Sequence, residues 1–292
     1  MGVTPSCAAI RTRITSSKGF SSSLAGCYIS TILEGKVMGS TVTDNTNYSM
    51  LQAQVESQEP SQKRFVPMEE RPDTSLLPAE LMPPISGGKY STTYRGIPLL
   101  KDPFHFTVVP QLLWELRPRT IFEFGAYHGG SALWMADLMK LYDSESRVLS
   151  LDIDLTKLES LARKHRPDIE FIEGNVFDVE THFPGERLKK LPHPWLLSED
   201  SHVNMIGVLE HFHKFMQPGD YLCIEDTNPA GPQISGQGVV KKLGYVEWGS
   251  AKLDDLKRFV QNHPGKYLVD RKYTDFYGSN VTWNTNGFLQ RF

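Results

Sequence analysis

From Leu99 onward, apolar positions recur along this chain in two alternating habits. Short β-rich runs occur at Thr120–Phe124, Val148–Leu151, Ile169–Glu173, Pro194–Ser198 and Tyr221–Glu225, and each reads as a sheet strand. Helical spacing fills the gaps between them. Leu133, Ala136, Leu138 and Leu141 follow Ser131 on one face, and Val203, Ile206, Leu209, Phe212 and Phe215 recur within Ser201–Phe215 until Gln217-Pro218-Gly219 stops the run. Leu253–Asn262 is a further amphipathic helix, and Asp102–Leu116 reads as a loop leading into a helix. This alternation predicts an α/β fold built on a doubly wound, mostly parallel sheet. The end of the chain departs from it. Tyr267–Asp275 and Val281–Phe292 lack helical period and predict an antiparallel pair joined near Gly278-Ser279-Asn280.

Upstream the pattern fades. Residues 1–60 are rich in Ser, Thr and Gly, their first acid is Glu34, and Arg11, Arg13 and Lys18 stand in an acid-free start. That composition fits a disordered extension or an organelle transit segment over residues 1–37. Residues 61–89 carry much Pro and Glu and read as a linker, so the folded domain is expected over 90–292. Cys7, Cys27 and Cys223 make no disulfide framework, which points to a reducing compartment such as the cytoplasm. A net charge of −3 gives no ground for a nucleic-acid partner, and no apolar run is long enough to span a membrane. The expected partner is a small molecule; a homo-oligomer stays open.

The first chemical signal is the turn after Thr120–Phe124. Gly125, Gly129 and Gly130 stand where a strand passes into a helix and a ligand can approach the backbone. Ligands of open α/β sheets lie at this end of the strands. The spacing is G-x-x-x-G-G, not the G-x-G-x-x-G that seats a pyrophosphate. Glu123 at its mouth would repel a pyrophosphate but suits the ammonium of a methionine moiety. Asp152 ends the next strand, where a carboxylate can accept hydrogen bonds from both ribose hydroxyls. These details favour S-adenosylmethionine over a dinucleotide. Ala126, Tyr127, Ser131 and, after the third strand, Asn175 complete the expected cofactor contacts.

The second signal is acidic. Two strands end in carboxylate pairs, Glu199-Asp200 and Glu225-Asp226, and in a doubly wound sheet those ends are neighbours beside the glycine turn. Converging carboxylates repel unless protonated or neutralised. A hard divalent cation such as Mg²⁺ neutralises them and can lower the pKa of a substrate hydroxyl. The plainer reading is that such acids only cap the helices that follow. His202 follows the first pair and is a candidate general base, its pKa lowered by a helix N-terminus. His128 and His105 are weaker candidates. His211 and His213 do not face each other on a helix and read as solvent-facing.

The set FEFGAYHGGSALWMADL, LSLDID, WLLSEDSH, YLCIEDTN and NVTWNTNGFLQRF resembles the cephalosporin hydroxylase/rhamnosyl O-methyltransferase family from about Leu99 to the C-terminus. The resemblance implies the class I methyltransferase fold, S-adenosylmethionine and Mg²⁺. It implies that Gly125–Ser131 and Asp152 hold the cofactor, that Glu225, Asp226 and either Glu199 or Asp200 hold the metal, and that His202 is the base. The family commonly has aspartate three positions before that histidine, where this chain has Glu199. The expected activity is O-methylation of a sugar or other small natural product, as in secondary metabolism. Alternatives are metal-independent N-methylation and a non-catalytic cofactor-binding subunit of a hydroxylase. Acceptor specificity is expected around Leu99–Phe106, Asn228–Gly238 and the C-terminal turn.

Overall fold

The chain divides between Ser61 and Gln62 into two units. The computed structural model describes residues 63–230 and 250–292, together with Ser49, Met50 and Ala53, which are helical. The expectation for residues 1–60 otherwise falls outside the described residues, as does most of the 228–238 loop.

The strands of the second unit are β1 (Phe65–Val66), β2 (Thr93–Tyr94), β3 (Ile97–Pro98), β4 (Thr120–Phe124), β5 (Arg147–Asp152), β6 (Ile169–Glu173), β7 (Trp195–Glu199), β8 (Tyr221–Ile224), β9 (Tyr267–Asp270) and β10 (Phe288–Arg291). Eight form one sheet in the order β1-β9-β10-β8-β7-β4-β5-β6, and β2 pairs with β3 apart from it. Strands β4 to β8 run parallel. Strand β10 is antiparallel to β8 and β9, and β1 is antiparallel to β9. The chain travels outward from β4 to β6, then returns to β7 on the other side of β4. The switch point between β4 and β7 is where a doubly wound sheet opens a ligand crevice.

Strand alternation assigns each side chain to one face. Phe122, Phe124, Leu197, Leu222 and Ile224 join a core with Val208, Leu209 and Phe212 of the helix Met205–His213 and Leu256 and Phe259 of the helix Ser250–Asn262. Ile121, Val148, Leu196, Tyr221 and Cys223 pack on the other face under Pro103–Leu116 and Gly130–Leu141. Phe122 sits edge-on to Phe183, Trp195 and Phe212, with ring centroids 4.8–5.6 Å apart. Among the described residues no helix is long and apolar enough to cross a membrane.

The structure corrects three expectations. The segment 61–89, expected as linker, is folded into the domain from Lys63 onward. Strand β1 extends the sheet along β9, Met68, Leu77 and Met82 are buried, and Arg71 forks onto Asp275 at 2.5 and 2.6 Å. The helix expected from Ser201 starts at Met205, because His202 and Asn204 take positive φ of 61° and 50°, which a right-handed helix excludes. The C-terminal strands do pair, Leu289 opposite Val269, but each has only four residues. Between them lie a helical turn, Arg271–Thr274, and a buried polar loop. There side chains hydrogen-bond to backbone in place of a ladder: Asn280 donates to Pro72 and Thr74 carbonyls, and the Thr282 hydroxyl accepts from Asn284 N–H.

Arg71 is thus expected to be a structural anchor. Truncation by Arg71→Ala should cost about 3 kcal/mol, as breaking a buried ion pair does, measured by urea unfolding. A loss below about 1 kcal/mol would show that the 63–89 segment is dispensable to the domain.

Candidate active site

The glycine turn leaves β4 at the switch point. Gly125 takes φ 103°, and a Cβ there would lie 3.0 Å from the Asp200 carbonyl oxygen. Gly129, at φ 81°, packs too closely for a side chain, since a Cβ there would meet Ala162 Cβ at 2.7 Å and Leu158 and Phe171 at 3.0 and 3.1 Å. The turn therefore brings its backbone directly against the end of β7. Tyr127 has φ 45° and a half-exposed ring, while Ala126 is buried. Asp152, at the tip of β5, accepts a 2.8 Å hydrogen bond from Tyr127 N–H and a 3.1 Å bond from Asp154 N–H. A carboxylate has about four acceptor positions, so ribose hydroxyls can still be received. Asn175, beyond β6, accepts from Phe177 N–H and caps the short helical turn there.

Glu123 is not at the mouth of the cradle. It is buried in a polar row across the sheet, opposite Ser150 on β5 and Ser198 on β7. The Ser150 hydroxyl donates to it, and Ser131, also buried, bonds it from the helix above. Burial pushes its carboxyl up to about 7, against the opposing pull of Ser131, Ser150 and Lys101. Glu123 and Ser131 therefore support the cradle from below.

The four acids expected at the metal site are divided by strand alternation. Glu199 lies opposite Ile224, on the Phe124 face. There Lys252, from the helix Ser250–Asn262, meets it at 2.8 Å, and Ser201 donates to it from both hydroxyl and backbone. Glu225 points to the opposite face. Ser198 donates to it at 3.0 Å, Lys101 at 2.5 Å, and His105 Nε2 lies 3.1 Å away. Asp200, one residue beyond β7, and Asp226, two beyond β8, converge on His202. His202 Nε2 stands 3.2 Å from Asp200 Oδ1 and 3.2 Å from Asp226 Oδ2.

Asp200 and Asp226 offer two hard carboxylate oxygens that fit a divalent cation. The His202 imidazole stands beside them, the three groups lying within 4.8 Å of one another. His202 is not lowered by a helix dipole, since the helix begins three residues later. Burial and Lys252 push it down, but hydrogen bonds to Asp200 and Asp226 outweigh them and raise it. Asp200 and Asp226 are both held below the usual range: burial opposes this, and the Lys101 ammonium for Asp200 and the Lys89 ammonium for Asp226 overcome it. Asp226 also adopts φ 59°, its N–H donating to Asn284. Backbone held in this region at a cluster of polar groups is typical of functional sites.

Residues 87–292 match the family described as rhamnosyl O-methyltransferase/CmcI. The chain belongs to that family. The rhamnosyl O-methyltransferase of Mycobacterium leprae (strain TN) is 29 % identical over 210 residues, covering 69 % of this chain and 83 % of that protein. The Mycobacterium tuberculosis (strain H37Rv) protein of the same description is 30 % identical over 209 residues, covering 68 % and 78 %. Among solved structures, CmcI with Mg and SAM shares 25 % identity at a TM-score of 0.53, over 80 % of this chain and 88 % of that one. The CmcI apo-structure shares 26 % at 0.52. The fold is that of the class I methyltransferases, and this member is a methyltransferase dependent on S-adenosylmethionine.

Sequence reasoning missed the basic groups that pair with these acids. Lys89, at the end of the helix Met82–Lys89, pairs with Asp226 at 2.9 Å. Lys101 bridges Glu225 and Asp200. His105, a weaker candidate base from the sequence, is buried between Asp102 at 2.6 Å and Glu225. The C-terminal turn scaffolds the site: Thr227 donates to the Thr285 carbonyl, Asn228 to Thr282, and Asn284 lies 3.2 Å from His105 Nε2. His211 and His213 are not solvent-facing decoration. His211 is buried 2.7 Å from the Phe183 carbonyl, and His213 stacks on His263 at 3.7 Å. His128 lies 3.6 Å from Glu159.

Glu123 carries a pH signature. An unfolded glutamate ionises near its ordinary 4.5, whereas folded Glu123 waits until about 7. The folded state is therefore penalised progressively as pH rises between those values, and the penalty stays above them. Glu123→Gln should remove it, so that the variant's stability relative to the parent improves by up to about 3 kcal/mol from pH 4.5 to pH 8. Denaturant titrations across that range check this; a difference that does not change with pH would contradict it.

Proposed function

We propose that this methyltransferase acts on a hydroxyl of a sugar or other small natural product and does so with a divalent cation, Mg²⁺ by the chemistry of its donors. The observation that carries the reading is the convergence of Asp200 and Asp226 on His202 directly beside Gly125. The neighbour CmcI, solved with Mg and SAM, and the rhamnosyl O-methyltransferases support it.

In this reading Asp152 receives the ribose hydroxyls and the Gly125–Gly129 backbone admits the methionyl part. When bound, S-adenosylmethionine would supply an electrophilic methyl group, and a divalent cation held by Asp200 and Asp226 would lower the pKa of an acceptor hydroxyl. His202 Nε2 would take the proton of the acceptor hydroxyl. Asp200 and Asp226 orient that imidazole and stabilise its charge. Much of the acceleration comes from holding the two reactants in register. Glu199 has no part in metal binding here; Lys252 and Ser201 retain it on the other face. Glu225 serves as an anchor for Lys101 and His105, and joins the metal only if Lys101 moves.

Purified chain, S-adenosylmethionine and Mg²⁺ are expected to add 14 daltons to a hydroxyl acceptor in a panel of glycosides and phenols. EDTA should abolish the gain and Mg²⁺ restore it. His202→Ala should lower kcat about 10²-fold or more, the scale of a general base, with little change in S-adenosylhomocysteine affinity. Asp152→Ala should instead weaken that affinity at least tenfold by calorimetry, losing a charged hydrogen-bond acceptor. Methylation of amines in chelator, with no hydroxyl product, would overturn the O-methyl reading.

A further inference from the structure

The acids of this site hold an internal cation of their own. Lys101 is buried and reaches two carboxylates at the ends of different strands, Glu225 at 2.5 Å and Asp200 at 3.2 Å. Its backbone is built to deliver it there. Leu100 takes φ 55°, and Thr92 Oγ1 brackets Lys101, accepting from its N–H and donating to its carbonyl. Asp102 then caps the helix Pro103–Leu116, accepting from Phe104 and His105 N–H. Three successive residues are thus committed to placing one ammonium between two acids.

Electrostatics says what this does. Without Lys101, Asp200 and Glu225 would face each other as like charges in a poorly solvated setting. A divalent cation binding beside Asp200 meets an ammonium already satisfying the same charge. Lys101 Nζ lies closer to Glu225, at 2.5 Å, than to Asp200, at 3.2 Å. It can relieve that conflict by withdrawing from Asp200 while keeping Glu225.

We propose that Lys101 is a resident counter-ion of the acidic site, which keeps the acids folded without metal and which a divalent cation must displace from Asp200 in order to bind. Lys101 is accordingly a positioning residue that sets metal affinity; it is not assigned a step in methyl transfer. This rests on the reading that the site takes a divalent cation.

The test uses the full chain without S-adenosylmethionine, titrated with Mg²⁺ by calorimetry and followed by thermal unfolding. Lys101→Met removes the charge and keeps the stem. It should bind Mg²⁺ about tenfold or more tighter than the parent, and it should melt lower in EDTA and recover with Mg²⁺. The parent should melt at nearly the same temperature in both. Lys101→Arg keeps the charge and can hold both carboxylates at once through its fork, so it should bind Mg²⁺ about tenfold more weakly. Should Lys101→Met fail to fold, Lys101→Arg carries the decision alone. Equal Mg²⁺ affinity in parent and variants would overturn the counter-ion role while leaving the metal site standing. Absence of Mg²⁺ binding in all of them would overturn the metal reading and this proposal with it.

Discussion

The constraint on which the rest depends is the cost of burying carboxylates at the ends of two adjacent parallel strands. Glu199, Glu225 and Asp226 are nearly inaccessible, and unpaired charges in such a setting are untenable. The chain answers by bringing an ammonium to each from outside the parallel strands: Lys252 to Glu199, Lys101 to Glu225 and Asp200, and Lys89 to Asp226. Each lysine belongs to a different flanking element. The placement of those elements follows from this charge pairing as much as from apolar packing.

That view explains why both ends of the domain fold over the site. The segment before β4 carries Lys89 and Lys101, so it cannot be a tether. Arg71 fastens it to Asp275 and Asn286 in the C-terminal loop. The loop in turn holds Asp226 through Asn284 and Thr227 through Thr285. N-terminal and C-terminal segments, far apart in sequence, together build the wall behind the acids. The cradle side is simpler, because Gly125, Gly129 and Asp152 achieve their geometry through local turns and one strand register.

How much of this was legible in the sequence follows the same division. The parallel strands and the glycine turn were readable because apolar runs and turn glycines are local signals. The acidic strand ends were visible too, yet their roles were blurred by treating each pair as a unit. Alternation separates them. Leu197 and Glu199 share one face, Cys223 and, by continued alternation past the end of β8, Glu225 share the other, and Asp200 and Asp226 each follow one residue later. That parity was present in the sequence and resolves which acid of Glu199-Asp200 faces His202. The lysine partners were not readable in this way, since Lys89 and Lys252 reach Asp226 and Glu199 across long stretches of chain with no periodic signature. The polar C-terminal loop was misread as strand because its asparagines and threonines satisfy backbone groups with side chains, which mimics a strand's lack of helical period.

The central claim is that Asp200 and Asp226, with His202, form the working face of the site while Glu199 is retained by Lys252. A crystal structure of the chain with S-adenosylhomocysteine and Mg²⁺ tests it most directly. The account predicts cation density in contact with Asp200 and Asp226, with Glu199 still paired to Lys252. Density coordinated by Glu199, with Asp200 turned away, would contradict it.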